Sequence, residues 1–255
     1  TLPAYTQSAL VFARTERIDH DRLERAFEAT ATTSPSGTIA ASADAARALL
    51  EQEGEQLLGN LLQIVDHARD RLRKVSGLVL LDDVVDRSVI VDRAKIAINI
   101  SGTGATGLAI EDHMVAAGMP VELADRDTVV PILSINDDLT SIDRFVDGVT
   151  AAIEQERSTP RPVLPSISWT VDPDVVISPR DAFFAPHSTV PVKEAIGMVS
   201  AEVVAPYPPG IPVLSPGDRI TSEAVAGLGQ AVAEGAQVRY TAGRPLAAVQ
   251  LGPGQ

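Results

Sequence analysis

Residues 38–75 limit this chain more than any other stretch, because their apolar spacing predicts a single, very long amphipathic helix. Ile39, Leu49, Leu50, Leu57, Leu58, Leu61, Leu62, Val65 and Leu72 mostly recur at steps of three and four residues, with acids and arginines on the other face. A helix of this length more often braces two domains than fills one core. Its weak points are Gly54 and Gly59, each about 1 kcal/mol less favourable than alanine in a helix interior. The acid-rich residues 51–55 fall on its solvated face.

The helix, taken as residues 38–76, divides the chain. Ahead of it, residues 1–37 hold a short apolar stretch at 9–13, a helix start at Ile18-Asp19 and a helical run from Arg22 to Phe27. Residues 30–37 (TATTSPSG) read as a loop, since hydroxyl side chains compete for backbone bonds while Pro35 and Gly37 interrupt helix. Beyond the helix, residues 77–157 alternate strand and helix. Apolar runs at 78–85 and 94–100 lead through a glycine-rich turn into a helix ending near Gly118; strands at 120–123 and 129–135 and a helix over 141–156 follow. This predicts a small α/β sandwich. The proline-rich residues 158–174 form a boundary by composition, with Trp169 expected to anchor them to a core. Residues 175–255 hold short strands, a proline-glycine cluster at 206–217, a helix over 222–235 and a final strand from Val238.

Charge removes several classes of partner. Acidic residues outnumber basic ones, 34 to 21, for a formal net charge of −13 over 255 residues. That sign repels nucleic acid and anionic lipid, so neither is expected to bind. No apolar run approaches the ~20 residues of a membrane span. With no cysteine, disulfides, thiolate metal sites and thiol nucleophiles are excluded, which fits a reducing compartment. The opening Thr1-Leu2-Pro3-Ala4 shows neither an initiator methionine nor a secretory pattern. It predicts a cytoplasmic protein and the later portion of a longer chain.

Residues 102–107 (GTGATG) fit the GxGxxG pattern, with a strand before, a helix after, and Glu122 near the spacing of a ribose-binding acid. An oxidoreductase using NAD(P) is therefore one reading; a tight turn that needs close backbone packing is the other. Connection length favours packing. Too few residues separate the strands near Val121 and Val129 for a parallel crossover, which needs roughly a dozen, so these strands form a hairpin or belong to different sheets. His20, His67, His113 and His187 are scattered without metal-ligand spacing, no metal is expected, and His113 beside Glu111 and Asp112 reads as a solvated helix face. Neither a GxSxG elbow nor a GxxxxGK[ST] loop occurs.

Two segments point further. Thr32, Thr33, Ser34 and Ser36 place four hydroxyls just ahead of the long helix, where they and its free N–H groups converge on an anion; an ordinary helix cap fits the same pattern. The prolines of residues 206–212 stiffen the backbone, either around a site or as a domain corner.

Residues 194–214 (EAIGMVSAEVVAPYPPGIPVL), with Pro216-Gly217-Asp218, closely resemble the C-terminal domain of bacterial ornithine/lysine/arginine decarboxylases. Three further matches run in the same order: residues 1–9 resemble the segment after that family's cofactor-binding lysine, residues 32–36 its Thr-Thr-Ser-Pro loop, and residues 95–125 its small domain. The resemblance implies an α/β fold. Residues 1–37 would end a large domain of the aspartate aminotransferase type, residues 38–76 would brace it, residues 77–157 would form the small α/β domain, and residues 175–255 the family's α+β C-terminal domain.

The resemblance also implies a function: decarboxylation of a basic amino acid with pyridoxal 5'-phosphate, in polyamine biosynthesis, with arginine favoured over lysine or ornithine. The implied cofactor lysine would stand immediately before Thr1. Lys74, Lys95 and Lys193 lie in other contexts, so the chain alone is expected to hold no catalytic residue and to be inactive. A non-catalytic subunit of a decarboxylase assembly is the alternative. Thr33, Ser34 and Ser36 become the implied cofactor-phosphate ligands, reaching the partner subunit of a homodimer or larger homo-oligomer. Glu122 becomes the implied partner of the substrate's distal cation, with Glu202 a second candidate.

Overall fold

Asp19 opens the first helix, its carboxylate accepting from Arg22 N–H as sequence chemistry predicts for an N-cap; α1 runs His20–Thr30. The computed structural model describes residues 3–86, 88–163, 167–208, 210–239 and 246–249. No residue of α1 is buried, and Phe27 is half-exposed.

The long helix forms as one element, α2, Gly37–Leu72. It ends about one turn before the expected position, where Val75 N–H closes a turn on the Leu72 carbonyl. Burial is uneven along it. Leu61, Ile64, Val65, Ala68 and Leu72 are buried, whereas Leu49, Leu50 and Leu57 are only partly covered and Leu58 is exposed. The second half of α2 therefore belongs to a core, and the first half projects beyond it.

That core is completed by β1 (Val79–Leu80), β2 (Ile98–Asn99), α3 (Gly107–Ala116), β3 (Leu123–Ala124), β4 (Thr128–Val130) and α4 (Leu139–Glu156). The sheet order is β1-β2-β4-β3, and every neighbouring pair is antiparallel. Leu123 faces Val130 and Ala124 faces Val129, the hairpin that the short connection requires. The expected strand over 78–85 shrinks to two residues because the chain bends at Leu81–Asp83. There Asp82 lies 2.7 Å from the buried Arg69 and Asp83 lies 2.9 Å from Arg73.

Helix α4 starts on a capping box between Asp138 and Ser141 and buries Ile142, Phe145, Val146, Val149, Ala152 and Ile153 on one face. Polar ties register it on its neighbours. Asp143 lies 2.7 Å from His67 Nε2 and accepts from Arg71 at 2.6 Å, and Asp147 accepts from Arg71 at 2.5 Å. His113 corrects the sequence reading: it is not simply a solvated face but pairs with Glu156 at 2.8 Å, joining α3 to the end of α4.

The proline-rich boundary is pinned rather than loose over its first residues. Ser158 N–H donates to the Thr103 carbonyl and Arg161 N–H to the Ser101 carbonyl. The side chain of Trp169 and the whole of residues 164–166 lie outside the described residues. The C-terminal region follows with α5 (Pro179–Phe184), β5 (Ser188–Val190), β6 (Val199–Ser200), β7 (Ala205–Tyr207), α6 (Ser222–Ala233), β8 (Gln237–Arg239) and β9 (Leu246–Val249). It holds an antiparallel sheet β5-β9-β6 and a separate β7-β8 pair over a core that includes Val204, Leu214, Ile220, Ala224 and Leu228. The expected final strand from Val238 appears as β8 and β9, and the residues between them lie outside the described set.

Candidate functional site

A groove of about 590 Å³ lies between the hydroxyl-rich loop, residues 7–10 and the first turns of α2. Thr32, Ser34 and Ser36 line it from the loop; Ile39, Ala40, Ala43, Asp44 and Arg47 line it from one stripe of the helix. The loop is shaped by its own chemistry, with Ser34 N–H donating to Thr32 Oγ1 at 3.2 Å. Of the hydroxyls singled out from sequence, Ser34 and Ser36 line the groove, whereas Thr33 is exposed on the same loop and does not. Thr32 lines it as well.

Ser36 occupies the N-cap of α2, yet its side chain makes no capping bond. The caps of α1, α3, α4, α5 and α6 all do. The N–H groups of the first turn of α2 are thus left to another acceptor, and an anion suits them because the helix dipole is positive at that end. At Gly37 an added Cβ would meet nothing within 4 Å, so the approach is open. Neutral hydroxyls and backbone N–H groups are a donor set that fits a phosphate. Arg47, further along the helix, is engaged by Asp44 at 2.9 Å and Glu51 at 2.6 Å, and both carboxylates hold its guanidinium above its ordinary value. Neither Asp44 nor Arg47 stands out in the sequence, because nothing in their spacing marks the groove.

The glycine-rich turn has a different use. Residues 101–103 form a tight turn that closes on Gly104 at φ 81°, a left-handed conformation that glycine adopts freely. A Cβ on Gly102 would stand 2.5 Å from the Gly77 carbonyl oxygen, and one on Gly107 would collide with the carbonyls of Asp125 and Thr128. Arg161 then closes over the turn, donating to the carbonyls of Gly104 and Ala105. The glycines thus serve close backbone packing, and the sheet is antiparallel throughout, unlike the parallel strand–helix–strand unit of a dinucleotide site. The NAD(P) reading of this turn is corrected accordingly.

Glu122 is exposed next to β3, its N–H bonded to the Val130 carbonyl; Glu202 is partly buried after β6, its N–H and carbonyl both engaged by the Ser200 hydroxyl. Neither lines the groove. A second cavity, about 180 Å³, lies where Arg126, Asp127 and Thr128 meet Gly227, Gln230 and Glu234 of the C-terminal region. Among the described residues no group of three or more His, Asp or Glu could hold a metal ion, and no helix is long and apolar enough to cross a membrane.

Comparisons with known proteins agree on one relationship. The Orn/Lys/Arg decarboxylase major domain matches residues 1–96, and the Orn/Lys/Arg decarboxylase C-terminal domain matches residues 166–235. The arginine decarboxylase of Bacillus subtilis (strain 168) is 32% identical over 231 residues, covering 87% of this chain and 46% of that protein. The constitutive lysine decarboxylase of Escherichia coli (strain K12) is 24% identical, over 87% of this chain and 42% of that one. Among solved structures, the lysine decarboxylase LdcF of Francisella novicida superposes with a TM-score of 0.78 at 19% identity, covering 98% of this chain and 48% of its own. The chain therefore spans about half the length of the curated relatives it matches.

Proposed function

The chain belongs to the Orn/Lys/Arg decarboxylase family, and on that footing we propose that the protein decarboxylates a basic amino acid with pyridoxal 5'-phosphate, arginine being the first candidate. The observation that carries the reading is the uncapped start of α2 at the hydroxyl-lined groove, inside the part of the chain that matches the major domain. Arginine is put first because the curated relatives that match 87% of this chain at 32% and 31% identity are named arginine decarboxylases.

The cofactor, when bound, supplies the electron sink that lets CO₂ leave. The residues of this chain bind and orient. Thr33, Ser34, Ser36 and the first N–H groups of α2 would hold the phosphate, with Thr32 shaping the loop. Holding a dianion with neutral donors adds no positive charge beside the reacting centre. In this reading the loop serves the neighbouring subunit of a homodimer, so two copies complete each site. Residues 1–37 would close the cofactor-binding large domain. Glu122, exposed in one copy, would meet the distal cation of the substrate, with Glu202 the second candidate. A carboxylate forms a two-pronged pair with a guanidinium but only a single contact with an ammonium, which would separate arginine from lysine. The product would feed polyamine synthesis in the cytoplasm.

The test is CO₂ release from arginine, lysine and ornithine by the protein as its gene encodes it, with and without added pyridoxal 5'-phosphate. Cofactor-dependent release from one of the three is expected. Release from none of them would replace this reading with that of a non-catalytic subunit. Within an active protein, Glu122→Gln should raise KM far more than it lowers kcat; unchanged kinetics would remove Glu122 from the substrate pocket.

A further inference from the structure

The start of the chain is fastened to α2 by one side chain. Tyr5 N–H donates to Ser42 Oγ at 3.1 Å, and the same hydroxyl donates to the Ile39 carbonyl one turn back, at 2.7 Å. A serine hydroxyl has a single proton, and here it is spent on the helix, so the oxygen lone pairs are aimed outward and accept from Tyr5. The fastened segment carries strain. Gln7, two residues on, sits at φ 69°, a left-handed conformation that a non-glycine residue adopts at a cost, and the Ser8 hydroxyl closes the turn by donating to the Tyr5 carbonyl at 3.2 Å. Gln7 and Ser8 line the same groove as Ser34 and Ser36. A strained turn keeps one conformation only where its ends are held, and Ser42 holds one end.

We propose that Ser42 is a positioning residue: its hydroxyl sets the distance between residues 5–8 and the phosphate-binding start of α2. The inference rests on the function proposed above, in which the segment follows the cofactor lysine of one site while the helix start serves the phosphate of the neighbouring copy's site, so that this hydroxyl ties the two sites together. Ser42 itself does not line the groove. It acts through Tyr5 on one side and through the first turn of α2 on the other, so its loss should blunt the preference for a phosphorylated ligand while the helix itself persists.

The experiment titrates pyridoxal 5'-phosphate, and separately phosphate-free pyridoxal, into the cofactor-free form of the protein as its gene encodes it. In Ser42→Ala the ratio of the two affinities should fall roughly fivefold to tenfold, the scale of one lost hydrogen bond. Ser42→Thr, which keeps the hydroxyl, should restore most of it. Hydrogen exchange at the Tyr5 amide gives a readout that needs no cofactor: exchange should quicken in Ser42→Ala and remain slow in Ser42→Thr. An unchanged affinity ratio in Ser42→Ala, or an equal loss in both variants, overturns the assignment while the decarboxylase reading stands. A wild-type protein that binds neither ligand overturns both.

Discussion

Arg161 and Asp127, 34 residues apart in sequence, meet with Nη2 3.1 Å from Oδ1, and the contact locks the proline-rich segment onto the β3–β4 hairpin. Asp127 is buried and also takes two bonds from Arg126, whose Nη1 reaches Glu234 at the end of α6 at 3.3 Å. A stretch that composition marks as a boundary is thus the join between two cores.

Arg161→Ala should lower unfolding stability by about 2–3 kcal/mol, because it strips partners from buried carbonyls and from Asp127 together. Arg161→Lys should recover little of this, since an ammonium cannot reproduce a planar fork that serves several acceptors. Urea denaturation followed by circular dichroism measures both. A loss below about 0.5 kcal/mol, the ordinary surface range, would show that the segment is not held this way.

Two glycines should respond in opposite senses. Gly107→Ala forces a methyl group against two backbone carbonyls and should cost at least about 2 kcal/mol, with no effect attributable to a nucleotide. Gly59→Ala lies in the interior of α2 with nothing within 4 Å of the new methyl and should gain about 1 kcal/mol. Thermal unfolding of the two variants reads this directly.

Acid should weaken the α2–α4 contact. The Asp143 carboxyl is held below its ordinary value, first by His67 and then by Arg71. A carboxyl depressed by folding stabilises fully above its unfolded value of about 4, and that contribution drains away as pH falls through the lowered folded value. Urea midpoints measured across that range should fall less steeply for Asp143→Asn than for the unaltered chain. Parallel curves would assign the acid sensitivity elsewhere, Asp83 and Glu154 being similarly depressed by Arg73 and Arg157.

Capping separates stability from binding. Thr221 caps α6 through a 3.1 Å bond to Ala224 N–H, so Thr221→Ala should cost about 1 kcal/mol. Ser36 makes no such bond, and Ser36→Ala should shift stability by less than about 0.5 kcal/mol; under the function proposed above it should also weaken retention of pyridoxal 5'-phosphate. A stability loss in Ser36→Ala equal to that of Thr221→Ala would make Ser36 an ordinary cap.

Much of the fold can be read locally. The spacing of Leu61, Ile64, Val65, Ala68 and Leu72 is enough to commit α2 to a helix with a buried stripe, and the short stretch between Val121 and Val129 rules out a parallel crossover before any coordinate is known. Asp19 announces α1 by chemistry that acts within three residues, and Thr106, Asp138 and Thr221 cap their helices in the same way in the structure. The groove was half-legible: the hydroxyls of residues 32–36 stand out, but whether Ser36 spends its oxygen on its own helix is a matter of rotamer and surroundings.

What the sequence determined, then, is the long helix, the hairpin near Val121 and Val129 and the family pattern, because each can be read from residue spacing or motif along the chain; helix α5 and the shortened β1 were not legible in it. Only the tertiary structure decided that Asp127 receives Arg161, that Ser42 receives Tyr5, that His113 pairs with Glu156, and that Thr32 lines the groove. These are meetings of short polar groups from distant segments. Their energy depends on distances of about 3 Å that no periodicity encodes, and they exist only after the apolar faces have packed.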